Sequence, residues 1–160
     1  MSLLIMAVHD TEDNGRTAFT KQTLTSLFNT VDFDKHRLIV VDNDSCKETQ
    51  DLLMDAVMYL QYGNQVEVLR NKENIGTAKA INRGIVRREQ GEYVIKLDND
   101  VTFDRPGWVD KMEETMRKMP EIGILGLKRN DLMETPYSVN TDWRSHLLMA
   151  PHEPGERWII

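Results

Sequence analysis

Asp98-Asn99-Asp100 sets two carboxylates at i and i+2 directly after the apolar run Tyr93 to Leu97. Where a strand turns into a loop, such a pair can converge on one hard cation, and oxygen donors suit Mg2+ or Mn2+. A cation there would bridge a diphosphate and offset charge on a leaving phosphate. Taken alone, the triplet is also common in solvated loops. A calcium-binding EF-hand loop is excluded, because counting from Asp98 the sixth residue is Phe103 rather than Gly and the twelfth is Val109 rather than Glu.

A second cluster, Val40-Val41-Asp42-Asn43-Asp44-Ser45, ends another apolar run. Asp42 at a strand end can accept a base imide N–H or ribose hydroxyls. Asp44 or Ser45 can equally cap the helix that follows. Asn43-Asp44-Ser45 also fits a glycosylation sequon, which is idle in a cytosolic chain. The third cluster is Asn74-Ile75-Gly76-Thr77-Ala78-Lys79-Ala80-Ile81-Asn82-Arg83-Gly84. Asn74 reads as an N-cap, and Gly76 permits close backbone approach. Ala78 and Ala80 allow tight packing, and the free N–H groups of the first turn can face an anion. Lys79, Arg83 and Arg87 recur every four residues as a basic stripe, a pattern commonest on solvated faces. Of the three, Lys79 lies nearest the helix start and is best placed to reach a phosphate.

The elements that must position these clusters alternate. Strands are expected over Leu3–Val8, Arg37–Val41, Val66–Leu69, Tyr93–Leu97 and Ile122–Leu127. Helices are expected over Arg16–Thr30, Cys46–Tyr59 and Asn74–Glu89, with another opened by Pro106 and ended by Pro120. In that last helix Val109, Met112 and Met116 face inward, and Trp108 anchors it. This alternation predicts an α/β fold with a Rossmann-like, mostly parallel sheet flanked by helices. Ligands of such sheets bind at the carboxyl ends of the strands. His9–Asn14, Asp42–Ser45 and Asp98–Asp100 all fall there, so one rim is expected to carry all three clusters.

Length and charge narrow the function. A chain of 160 residues with 40% apolar and 29% charged residues suits one soluble domain. Its formal charge of -6 lacks the basic footprint that duplex nucleic acid or an anionic membrane demands. The single cysteine, Cys46, excludes an internal disulfide and a multi-cysteine zinc site. No apolar run approaches the roughly 20 residues of a transmembrane segment, and no signal peptide is recognisable. The expected location is the cytosol, with the inner membrane face as a compatible peripheral position. Beyond Lys128 the alternation fades, and the apolar end Trp158-Ile159-Ile160 gives the expectation of a native chain that continues.

Asp42–Ser45, Asn74–Gly84 and Asp98–Asp100, in that chain order, resemble the nucleotide-binding half of glycosyltransferase family 2, which has the GT-A fold. The resemblance covers about residues 2–128. It rests on the opening strand and loop, Val40 to Ser45, the Asn74 to Gly84 run, Lys96 to Asp100, and the Pro106-Gly107-Trp108 helix start. It implies a donor-binding core over 1–128 and the incomplete start of an acceptor-side region over 129–160. It implies that Thr11 and Asp42 bind the nucleoside, and that Asn74, Gly76 and Lys79 lie near base or diphosphate. Asp98 would lie nearer the ribose and share the metal, with Asp100 its principal ligand and Mn2+ or Mg2+ the cofactor. The donor would be a UDP- or GDP-sugar, and the acceptor an unidentified glycan or lipid-linked group. The first loop departs from the family, carrying His9-Asp10-Thr11 in place of a Pro-containing turn.

The family's general base lies in a later segment, and no residue here matches it: Asp131, Glu134 and Asp142 follow the metal motif too closely, and His146 and His152 read as surface residues. Two functions follow. One is a metal-dependent, inverting sugar transferase. The other is a donor-nucleotide-binding module without turnover of its own. A nucleotidyltransferase is disfavoured, since His9 to Gly15 holds one glycine where a Gly-rich basic loop is required.

Overall fold

The computed structural model describes residues 1–59, 65–127 and 158–159. β1 (Ser2–Val8) and β2 (Arg37–Asn43) are apolar on both faces. Leu4, Met6, Val8, Leu38 and Val40 enter one core layer, and Leu3, Ile5, Ile39 and Val41 the other. A strand with period-two packing on both sides must be covered twice. α1 (Thr17–Thr30), α2 (Lys47–Tyr59) and α4 (Trp108–Lys118) supply one cover, and α3 (Thr77–Ile85) the other. Burying each such Leu or Ile fully contributes about 1.5–3 kcal/mol.

β3 (Val66–Asn71), β4 (Tyr93–Leu97), β5 (Ile124–Leu125) and β6 (Trp158–Ile159) complete a sheet in the order β3-β2-β1-β4-β6-β5. Every pairing is parallel. The chain winds outward from β1 through β2 to β3, then returns to place β4 on the other side of β1. The β1/β4 boundary is therefore the switch point, where loops diverge and a crevice opens above the strand ends. Register sets the height of the rim: Val8 pairs with Asp42, Asp42 with Arg70, and Met6 with Leu97. With strands about 4.8 Å apart, Asp42 and the Asp98 loop stand on the same rim, one strand to either side of β1.

Several boundaries differ from expectation. α3 begins at Thr77, with Gly76 as N-cap at φ 83° rather than Asn74. The Asn74 side chain accepts the Gly76 N–H at 2.9 Å, holding the turn before the helix rather than capping it. Ala78 is exposed, and the close approach belongs to Ala80 and Gly84. A Cβ on Gly84 would stand 2.6 Å from Ile5 Cγ2, so α3 lies almost directly on β1. Pro106 precedes α4 instead of entering it, because Gly107 takes the left-handed N-cap conformation at φ 77°. Trp108, Val109, Met112 and Met116 are buried as expected. Trp108 stacks on Phe103 at 4.4 Å, and its indole N–H donates to Thr30 Oγ1 at 3.2 Å. β5 is a two-residue strand where six residues were expected. The expectations for Asp131, Glu134, Asp142, His146 and His152 lie outside the described residues, as does nearly all of the 129–160 region.

Candidate functional site at the carboxyl rim of the sheet

Asp10, two residues past β1, is fully buried. Its Oδ2 accepts from Thr20 Oγ1 at 2.6 Å and Thr49 Oγ1 at 3.2 Å, and its Oδ1 from Asn99 Nδ2 at 2.9 Å. A carboxylate removed from water survives only if donors replace its hydration. Here those donors come from α1, α2 and the loop after β4, so one side chain ties three segments to β1. Asn99 also donates to Thr20 Oγ1 at 2.8 Å. The middle residue of the Asp98-Asn99-Asp100 triplet therefore points into the protein, and its two neighbours remain exposed.

Each exposed carboxylate meets a cation. Asp100 Oδ2 accepts from Arg16 Nη2 at 2.9 Å, and Asp98 pairs with Lys96. Among the described residues no three His, Cys, Asp or Glu side chains converge on a common point. The donor set still fits a hard cation: two solvent-facing carboxylates, with Asp100 Oδ1 unpartnered among the described residues, leave coordination positions for phosphate oxygens and water.

On the other side of β1, Asp42 is wholly buried. Its Oδ1 accepts the Ser45 N–H at 2.9 Å and its Oδ2 the Arg70 Nε–H at 3.0 Å. Asp42 thus shapes the turn into α2, and its buried charge is offset by Arg70, whose guanidinium is half-exposed. Neither Asp44 nor Ser45 caps α2. Asp44 adopts φ 67°, Ser45 Oγ bridges the Asp10 N–H and the Val8 carbonyl, and the Cys46 carbonyl accepts the Gln50 N–H. The Thr49 backbone N–H beside Cys46 draws its thiol below the usual range.

Asn43 links this side to the third cluster. Its Nδ2 donates to Asn74 Oδ1 at 2.7 Å, and its Oδ1 accepts from the Ile75 N–H at 3.1 Å and Asn71 Nδ2 at 2.8 Å. Lys79 projects from the first turn of α3 without a partner among the described residues. Arg83 is spent within the fold, donating to the Arg70 carbonyl at 2.7 Å and to Asn71 Oδ1. Arg87 pairs with Glu67 at 3.7 Å. Thr11 and Asn14 bond reciprocally, each side-chain oxygen accepting the other's N–H, which folds the first loop over the rim. A hollow of about 580 Å³ runs beside α1 toward Thr102 and Phe103, just past Asp100, rather than over Asp42.

Thr11, Asp42, Asn74, Gly76, Lys79, Asp98 and Asp100 therefore belong to one rim, with Asp42 beneath its surface. Asp10, Arg16, Asn99 and Arg70 had no assigned role from sequence. Asp10 and Asn99 lie within polar clusters, but the bonding of all four is defined by partners distant in the chain.

The sequence model of glycosyl transferase family 2 matches residues 8–158. The chain belongs to glycosyltransferase family 2. No curated protein matches it by sequence. Among solved structures it is similar to S. aureus TarS 1-349, with TM-score 0.65 and 17% identity over 81% of this chain and 36% of that one. The same protein in complex with UDP matches with TM-score 0.64. GalNAc-T7, solved with UDP, GalNAc and Mn2+, matches with TM-score 0.62 and 20% identity over 79% of this chain and 23% of that one. At such identities the likeness establishes the fold, which is GT-A. This family 2 chain spans about a third or less of the length of these relatives. No helix among its described residues is long and apolar enough to cross a membrane.

Proposed function

We propose that this chain forms the donor side of a glycosyltransferase, binding a nucleotide-diphosphate sugar across the rim between Asp42 and Asp100. The observation that carries this is that three polar clusters leave the carboxyl ends of the parallel strands β3, β2 and β4 of a family 2 chain. Thr11, the Arg70 guanidinium held by buried Asp42, and the Asn43–Asn74 pair would receive the nucleoside. Asp98 would face the ribose, and Gly76 and Lys79 the base or diphosphate. Asp100, shared with Asp98, would hold Mg2+ or Mn2+, which when bound supplies positive charge to a departing diphosphate. Buried Asp10 keeps that loop in place through Asn99. An acceptor hydroxyl attacking from the face opposite the diphosphate would invert the anomeric centre.

The solved TarS complex with UDP and the GalNAc-T7 complex with UDP, GalNAc and Mn2+ support a UDP-type donor and a divalent cation. A second reading is donor binding without turnover. It is favoured by the lack of a residue assigned as the acceptor's base among the described residues. Calorimetric titration of UDP and GDP, with and without Mn2+, tests the shared premise. Saturable binding that requires Mn2+ is expected, and no heat at millimolar nucleotide would end both readings. Product formation from the sugar nucleotide then separates transferase from binding module, and little turnover by this chain alone is expected.

A further inference from the structure

Arg16 is the residue before α1, and its guanidinium stands at the β1/β4 switch point. Nη2 donates to Asp100 Oδ2 at 2.9 Å and to Asn99 Oδ1 at 3.4 Å. The other guanidinium N–H groups have no partner among the described residues. The Arg16 and Asp100 side chains are 37% and 44% exposed, so water competes for both ions and the pair is easily opened. The first turn of α1 holds no acidic residue and no side-chain cap, so the start of the helix adds positive potential at the same place. A guanidinium offers a planar fork that fits two phosphate oxygens at once. Lys96 on Asp98 repeats the arrangement one residue pair away.

We propose that Arg16 is a diphosphate-binding residue that rests on Asp100 until a nucleoside diphosphate and its divalent cation arrive together. The proposal rests on the donor-site reading above. Arg16 and the cation compete for one carboxylate, whereas diphosphate draws Arg16 away and frees that carboxylate. Cation alone therefore binds weakly, and diphosphate and cation raise each other's affinity by the same factor.

The test is calorimetry on the full chain with Mn2+ alone, UDP alone and UDP with Mn2+, comparing wild type, Arg16→Ala and Arg16→Lys. Arg16→Ala is expected to bind Mn2+ alone about 10-fold more tightly and UDP with Mn2+ about 10-fold more weakly, shrinking the coupling between the two ligands. Arg16→Lys keeps the charge without the fork and should fall between. Thermal midpoints and circular dichroism verify folding, and the lysine variant serves if the alanine variant is unstable. Wild-type binding with Arg16→Ala unchanged for UDP, or weakened for Mn2+ alone, overturns this proposal and leaves the donor site standing. No UDP binding by wild type in the presence of Mn2+ overturns both.

Discussion

The two ends of the sheet carry the same residue types and use them differently. At the amino end, Arg37 makes a two-pronged contact with Glu92 at 2.9 and 2.8 Å, and Glu92 is 2% exposed. That side-chain bond to Glu92 holds the Arg37 guanidinium above its ordinary range. Glu92 also accepts the Glu89 N–H at 2.7 Å, and buried Glu113 accepts from Ser2 Oγ at 2.6 Å. His36, buried nearby, accepts the Ser2 N–H. Arg37, Glu92 and Glu113 are largely enclosed and bonded to neighbours in the fold, while His36 Nε2 is buried without a hydrogen-bond partner among the described residues. At the carboxyl end, Arg16, Arg70, Lys79, Asp98 and Asp100 stand in water with bonding capacity to spare. An ion pair sealed from solvent closes a fold, while one left open on a rim can be exchanged for a ligand.

That contrast can be broken or sharpened by substitution. The largest effect is expected at the closed end, where Glu92→Ala strands Arg37 and should cost about 3 kcal/mol in chemical denaturation. UDP affinity at the far rim should stay unchanged in whatever fraction remains folded. A matching loss of nucleotide binding would show that the ends are not separable. Next, Asp100→Ala should weaken Mn2+-dependent UDP binding about 100-fold by calorimetry, with the denaturation midpoint essentially intact. A destabilised protein with normal affinity would reverse the assignment. Gly84→Ala probes the layer between the ends. Its new methyl meets Ile5 at 2.6 Å and should cost about 2 kcal/mol as α3 shifts off β1. The smallest effect belongs to Glu114, exposed on α4, where hydrogen bonds from Lys118 and Lys111 lower its carboxyl to about 2. Because the folded value lies below the unfolded 4.5, any stabilisation is present above that value and fades as pH falls toward 2. An NMR titration should find this low midpoint moving upward in high salt, while Glu114→Gln leaves the denaturation midpoint unmoved.

Most of the architecture was legible because it depends on local period. The apolar runs at Leu3–Val8 and Arg37–Val41 alternate between two core layers, and Val109, Met112 and Met116 follow helical spacing. The shared rim was legible too, since parallel strands carry their exits to one end. What escaped depends on partners far apart in the chain. Arg16 meets Asp100, and Asp10 meets Asn99, only because β4 returns beside β1. The expected start of α3 at Asn74 failed for a related reason. Asn43 reaches across from β2 to bond the Asn74 side chain, which also holds the turn before the helix, and Gly76 at φ 83° becomes the N-cap. Among glycines, the motif marks Gly76, yet Gly84 has the tighter steric demand, which no one-dimensional pattern displays.

β6 has a consequence for how the molecule is made. It lies between β4 and β5, so β5 reaches the sheet only through a strand drawn from far later in the chain. During synthesis the four strands from β3 to β4 can pair as soon as they emerge. β5 must wait with its backbone edge open until Trp158 and Ile159 are available. Such late, long-range pairing is slow and leaves an interval in which a nascent chain can join the wrong neighbour.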